Sequence, residues 1–355
     1  MDKREILLGI KAFLSNFNYL QYPYKLNFSI TYQCNGRCKN CEIWKKYIDN
    51  PNKLKEELKL SEIEKIFEKY SLFSWVSLTG GEPFLRNDVI KIVETIKEKS
   101  KNFYLLNIPT NGLLTDKTVK SVEKISDIVP RIIVTVSIDG LEDIHDKLRG
   151  KGNWRKAFRT YKKLKELSEK KKNLGVYIGY TLSPFNINSN SLFFEKIDEL
   201  GISYDDIHLN LFHKTDYYGN LNLSYNRDDF RKKASKELEN IISKKSIKLS
   251  EVSYLERKYI KLLLKYIRNN KTPLSCKAHQ ASIFIDPYGN VYPCITFKKN
   301  LGNLRKYNYD LKKIISNSIH IRKDIEKLKC PNCWTPCEAY QTILGNFFKS
   351  LVSEI

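Results

Sequence analysis

Cys34-Asn-Gly-Arg-Cys38-Lys-Asn-Cys41 places three thiols within eight residues, immediately after the apolar run Leu26–Thr31, which reads as a β-strand. Three cysteines at this spacing can wrap one corner of a cubane-like cluster, each thiolate taking one iron. A [4Fe–4S] cluster normally has four protein ligands, so three leave one iron open to a small molecule. A zinc site or a chance grouping is the competing reading. Zinc prefers four ligands in paired knuckles, and the next cysteine is Cys276.

Beyond this loop, strand-like and helix-like segments alternate. Strands are expected over Leu26–Thr31, Trp75–Thr79, Tyr104–Pro109, Ile132–Ile138, Val176–Leu182 and Ile207–Phe212. Helices are expected over Ser61–Tyr70, Asp88–Lys99, Asp116–Ile125, Trp154–Lys170 and Ser191–Leu200, with Ser61 and Glu64 spaced as a capping box. Six such units imply an α/β fold, a parallel sheet with helices outside. Chemistry on such a sheet collects at the C-terminal strand ends. Polar motifs fall at those ends. They are Thr79-Gly-Gly-Glu-Pro83, Thr110-Asn-Gly112, Ser137-Ile-Asp-Gly140, Arg149 in His145–Gly150, and Tyr180-Thr-Leu-Ser-Pro184. Ser137 and Asp139 are two apart on a strand and so share a face. Arg149 carries a fork suited to a carboxylate.

The cysteine spacing and this ordered series resemble the radical S-adenosylmethionine (SAM) enzymes. The resemblance implies a partial (β/α)6 TIM-like barrel. Cys34, Cys38 and Cys41 then hold a [4Fe–4S] cluster whose open iron is chelated by the amino and carboxylate groups of SAM. It further implies that Gly80, Gly81 and Glu82 hold the SAM amino group, with Thr110 and Asn111 on the neighbouring strand end. Ser137, Asp139 and Arg149 are implied at the ribose and carboxylate, and Thr181 and Leu182 beside the adenine. Asn210 and the stretch Tyr217–Asn220 would face the substrate. Many members carry an aromatic residue just before the third cysteine; here it is Asn40, so the adenine contact is expected to differ.

The remaining cysteines lie near the C-terminus, around a Pro287-Tyr-Gly-Asn290 hairpin turn. Twelve residues separate Cys276 from Gly289 and four separate Gly289 from Cys294. This resembles the opening of the SPASM and twitch extensions of radical SAM enzymes, which hold auxiliary iron–sulfur clusters. Four of the five thiols, Cys276, Cys294, Cys330 and Cys333, form the expected auxiliary [4Fe–4S] set, with Cys337 as the replacement for Cys333. A zinc knuckle is the competing reading. Helices are expected at about Tyr309–Leu328 and Trp334–Leu351. The implied division is an N-terminal helix (1–24), the core (25–220), a helical bridge (221–271), a twitch/SPASM-like domain with β-hairpin and helix (272–340) and a C-terminal helix (341–355).

Eight cysteines grouped in metal-ligand spacings, with no signal-type cleavage site and no run of 18 apolar residues, point to a reducing compartment. A cytoplasmic location is expected, with peripheral membrane contact through the apolar stretch 5–20 as the alternative to packing. The net charge of +22 suits an anionic partner, although Lys alternates with Glu along the expected helices.

The resemblance implies reductive cleavage of SAM to a 5′-deoxyadenosyl radical, hydrogen abstraction from substrate, and an electron donor such as flavodoxin or ferredoxin. His145, His208, His213 and His279 are the acid–base candidates, and no residue is singled out as catalytic. A small metabolite or cofactor precursor is the favoured substrate, because only about 25 residues precede the core and leave little for leader recognition. Peptide, RNA or lipid modification is the alternative. A non-catalytic iron–sulfur or zinc scaffold would not need the strand-end motifs.

Overall fold

The computed structural model describes residues 2–48, 50–245 and 250–352. Six strands run parallel in chain order: β1 (Lys25–Thr31), β2 (Trp75–Gly80), β3 (Leu105–Thr110), β4 (Arg131–Ser137), β5 (Leu174–Leu182) and β6 (Ile207–Leu211). Helices α1 (Lys3–Ser15), α2 (Leu60–Lys69), α3 (Val89–Lys99), α4 (Thr115–Ile128), α5 (Glu142–Arg149), α6 (Asn153–Lys170) and α7 (Asn190–Lys196) precede or link them. Apolar residues spaced three and four apart, such as Ile63, Ile66 and Phe67 on α2, are buried in the same core as Phe28 and Leu78 of the sheet. Truncating one such residue, Leu78 for example, would cost about 2–5 kcal/mol. This is the expected α/β partial barrel.

β1 shows how the interior is built. Leu26, Phe28 and Ile30 face the helices. Lys25, Asn27, Ser29 and Thr31 alternate with them and point inward, yet all seven residues are buried. Something must therefore fill the barrel against polar side chains, and that element is α12 (Pro336–Leu344), described below.

The outer edge of β6 meets helices instead of a seventh strand. Glu256 accepts a hydrogen bond from the Leu209 N–H (2.8 Å), and Lys245 Nζ donates to the Ile207 carbonyl (2.8 Å). Glu256 lies on α9 (Glu251–Asn269), which packs against α8 (Arg227–Lys244). These side chains satisfy an edge that would otherwise recruit another strand, which leaves the barrel open on this side.

At the opposite edge β7 (Ser282–Ile285) pairs parallel with β1, and β8 (Asn290–Tyr292) and β9 (Gly302–Asn303) continue antiparallel, giving one nine-stranded sheet. Gly289 closes the β7–β8 turn at φ +81°, and Asp286 accepts from the Tyr288 and Asn290 N–H groups at 2.9 Å each. The segment 272–340 is thus joined to the core through its own first strand.

Several local expectations change. The capping box sits two residues earlier, with Glu62 accepting from the Lys59 N–H at 2.9 Å; Ser61 falls inside the first turn. The helix expected over Tyr309–Leu328 is two, α10 (Leu311–Asn317) and α11 (Ile321–Glu326). The helix expected over Trp334–Leu351 is also two, α12 and α13 (Phe347–Val352), and α12 crosses the boundary placed at 340. Within the expected bridge and C-terminal helix, residues 246–249 and 353–355 lie outside the described residues. No helix among the described residues is long and apolar enough to cross a membrane.

Candidate functional site

The three thiols of the first loop are gathered at the C-terminal end of β1. A Cβ built on Gly36 would sit 3.6 Å from both Cys34 Sγ and Cys38 Sγ and 3.5 Å from Asn111 Nδ2. The loop therefore folds around a cradle that a larger residue would fill. Asn111 Nδ2 also approaches Cys34 Sγ from the end of β3, and Arg149 Nη1 approaches Cys38 Sγ from the end of α5, each at 3.8 Å. Such N–H contacts to sulfur are among the levers that tune a cluster.

Burial pushes the Cys34 thiol up to about 11 and the Cys41 thiol up to about 12, with the neighbouring cysteines adding to it. Bare thiols would stay protonated here, so three thiolates call for a strongly cationic group. Among the described residues no three His, Cys, Asp or Glu side chains converge as for a single metal ion. The donor set, the cradle and the N–H contacts to sulfur fit an iron–sulfur cluster.

The two glycines after β2 are there for close packing. A Cβ on Gly80 would lie 2.0 Å from the Thr31 carbonyl oxygen, and one on Gly81 would lie 2.2 Å from that of Gln33. The Gly81 and Glu82 N–H groups donate to those same two carbonyls, each at 2.8 Å. The loop is thereby fastened to the entry of the cysteine loop.

Glu82 is fully buried. Its carboxylate accepts from Thr110 Oγ1 (2.9 Å), the Asn111 N–H (2.7 Å) and the Phe84 N–H (3.3 Å). Burial raises its pKa to about 7, and those donors pull against the rise. The structure thus brings Glu82, Thr110 and Asn111 together, and Asn111 carries the link on to Cys34.

Asp139 forms a second knot. Its carboxylate accepts from Arg149 Nε (2.7 Å) and the Thr181 N–H (2.8 Å), while its backbone N–H donates to His145 Nδ1 (3.3 Å). Burial opposes the charge on Arg149, but Asp139 and the nearby Cys38 outweigh it and hold the guanidinium protonated. Burial and Arg149 push His145 down to about 4, so it is neutral and acts as an acceptor. Ser137 ends β4, opposite Gly179 of β5, and Leu182 ends β5 fully buried. Asn40 is buried, its carbonyl accepting from Asn220 Nδ2 (2.9 Å), which binds the third cysteine's approach to the loop after β6. His208 and Asn210 each keep a buried polar atom unpartnered among the described residues.

The C-terminal thiols are assembled from separate segments. Thr296 Oγ1 lies 3.3 Å from both Cys294 Sγ and Cys333 Sγ, which brings the β8 loop onto the loop before α12. Cys276 feels the charges of Cys333 and Cys330, and Cys294 those of Cys333 and Cys276. Cys276, Cys294 and Cys333 thus neighbour one another, and Cys330 neighbours Cys276 and Cys333. Cys337 packs instead against the cluster of Tyr32, Ile43, Tyr217, Phe284 and Ile295, as Cys41 does, with Lys25 as the charge it feels most. Thr296 was not legible as part of the set; its position two residues after Cys294 is the sole signal.

Sequence reasoning also missed the polar plug of the barrel. On α12, Glu338 accepts from Asn27 Nδ2 (3.0 Å), Ser282 Oγ (2.5 Å) and Gln341 Nε2 (2.6 Å), and Lys25 Nζ donates to Gln341 Oε1 (2.8 Å) and the Cys337 carbonyl (2.6 Å). Burial brings Glu338 up to about 7 despite the pull of Lys25. The spacing of Glu338 and Gln341 on one helix face was the available signal.

Residues 28–187 match the Radical SAM superfamily model, and residues 276–337 match the SPASM model, an iron–sulfur cluster-binding domain. The antilisterial bacteriocin subtilosin biosynthesis protein AlbA of Bacillus subtilis is 26% identical over 330 residues, covering 87% of this chain and 64% of AlbA. The chain spans between 38% and 64% of the length of the first curated relatives it matches. Among solved structures, anSMEcpe with bound AdoMet aligns with a TM-score of 0.61 at 19% identity, covering 94% of this chain and 92% of that one. SuiB of Streptococcus suis bound to precursor peptide SuiA aligns with a TM-score of 0.57 at 18% identity, covering 90% and 72%. Both likenesses concern the fold.

Proposed function

Because this chain belongs to the radical SAM enzymes and carries a SPASM iron–sulfur domain, we propose that it modifies a peptide at an unactivated C–H bond. The observation that carries the peptide reading is the match to AlbA, whose name states bacteriocin biosynthesis and whose likeness covers 87% of the chain. This moves the substrate away from the small metabolite expected from the short stretch before the core.

When bound, the core cluster and SAM supply one-electron cleavage of the sulfonium C–S bond and the hydrogen-abstracting species. The protein binds, orients and excludes water. Cys34, Cys38 and Cys41 are the proposed holders of the core cluster. The Gly80–Glu82 loop and Asn111 set the position of Cys34 through the contacts to Thr31, Gln33 and the thiol. The Asp139–Arg149 pair fixes the Cys38 side, and the remaining guanidinium donors would hold a SAM carboxylate. Thr181 and Leu182 would flank the adenine, with Ser137 at the ribose. Cys276, Cys294, Cys330 and Cys333 are the proposed auxiliary ligands.

The test is mass spectrometry of 5′-deoxyadenosine from anaerobic turnover with perdeuterated peptide pools, with perdeuterated small metabolites in parallel. Deuterium arriving from the peptides supports the reading. Deuterium arriving from the small metabolites alone overturns it.

A further inference from the structure

A cavity of about 460 Å³ lies outside the barrel, between the loop after β6, the start of α8 and the end of α9. Lys214, Arg227 and Arg231 line it, and no aspartate or glutamate does. None of the three cations forms an ion pair among the described residues. Arg227 donates to the Asn270 side chain, and Arg231 to the Ile267 and Arg268 carbonyls at the end of α9. The acidic residues of the first turn of α8 are Asp228 and Asp229, neither of which lines the cavity, and Asp229 is paired with Lys233 at 2.8 Å.

Two guanidiniums four residues apart on one helix repel each other, and Arg227 also sits at the positive end of that helix. The arrangement is electrostatically incomplete, and an anion would complete it. Arginine forks suit oxyanions with two acceptor oxygens.

The cavity also abuts the auxiliary cysteines. Pro331, between Cys330 and Cys333, forms part of its wall. Tyr266, another wall residue, donates its hydroxyl to the Asn332 carbonyl (3.1 Å), and the His213 ring leans on it with 5.9 Å between centroids. His213 Nε2 is buried without a partner among the described residues.

We propose that this cavity binds a multiply charged oxyanion, a carboxylate or phosphate group of a ligand, beside the auxiliary-cluster loop. The site is separate from the SAM-binding strand ends and does not depend on the peptide reading. It gives the +22 net charge a definite local use.

The experiment is calorimetric titration of the anaerobically reconstituted holoenzyme with triglutamate, pyrophosphate and, as the uncharged control, triglutamine. At least one of the anions binds one-to-one, more weakly at higher salt, and triglutamine gives no heat. The preferred anion distinguishes a carboxylate from a phosphate source. The Lys214→Gln/Arg227→Gln variant, which alters two exposed side chains, weakens binding at least tenfold, while Lys163→Gln on the distant face of α6 does not. The bound anion also perturbs the electron paramagnetic resonance signal of the auxiliary cluster and leaves that of the core cluster unchanged. Absence of binding by both anions, or an equal loss in Lys163→Gln, overturns the proposal.

Discussion

The two cysteine sets of this molecule are built in opposite ways. The first is local: three thiols in eight residues, turned around Gly36 at one strand end and steadied by Asn111 and Arg149 from neighbouring ends. The second is distributed: Cys276, Cys294, Cys330 and Cys333 come from three stretches spread over nearly sixty residues and meet only because β7, the β8 loop and α12 pack together. A local set can lose a ligand and keep its scaffold. A distributed set is part of the scaffold.

The largest effect expected from that difference is on folding. Cys38→Ala should lose about half of the iron, roughly four of eight per chain, and all turnover, with the circular dichroism melting curve close to that of the parent. Cys294→Ala, at a buried position where three segments meet, should lose a similar amount of iron and also melt at least several degrees lower. Equal melting of the two variants would break the comparison.

Iron analysis of Cys337→Ser and Cys333→Ser sharpens it further. Cys337 packs against the cluster around Tyr217, and the charges acting on it are those of Lys25 and Glu338 and of no other thiol, so its replacement should leave about eight irons per chain. Replacing Cys333 should leave about four. Loss of iron on replacing Cys337 would place it in the ligand set.

A smaller effect is expected at Thr296, whose hydroxyl touches two of the distributed thiols. Thr296→Val removes a donor to cluster sulfur and should lower the auxiliary potential by about 40 mV, the one-electron equivalent of a net hydrogen bond of ~1 kcal/mol. Redox titration followed by electron paramagnetic resonance measures it, and the core potential should not move.

How much of each region was legible follows from the same contrast. The loop Cys34–Cys41, the Gly80–Glu82 turn and Asp139 could be read because each is a short motif at the end of a strand whose period is visible in its neighbours. Lys25, Glu338 and Gln341 could not. Their meaning depends on α12 entering the barrel more than 300 residues after β1; the spacing of Glu338 and Gln341 marks a shared helix face but not the strand it meets. The helices expected from Tyr309 and from Trp334 each proved to be two. The first breaks where Ser318 caps back onto Ile314 and Ile315, the second after Gly345. Periodicity continues across such breaks, and a pattern of apolar residues does not mark them.

The smallest expected effect concerns pH and lies in the barrel wall, away from both thiol sets. His208 stacks on Tyr177 at 3.9 Å between centroids, and burial, with Lys245 nearby, holds it down to about 3. Its folded pKa is below the unfolded value of about 6.5. Its contribution is therefore complete above 6.5 and is lost as the pH falls from there toward 3. His208→Gln should reduce by about 1 kcal/mol the loss of stability between pH 7 and pH 5.7, read from urea midpoints at the two pH values. An unchanged difference would show that His208 already carries its proton in the folded state.

The account rests on a thiolate trio that leaves one iron free for SAM, and the most direct measurement is 5′-deoxyadenosine release. Anaerobically reconstituted protein given dithionite and SAM should form 5′-deoxyadenosine and methionine, and the Cys34→Ala/Cys38→Ala/Cys41→Ala variant should form none while retaining its auxiliary iron. Zinc in place of iron at that loop, or undiminished release from the variant, would contradict it.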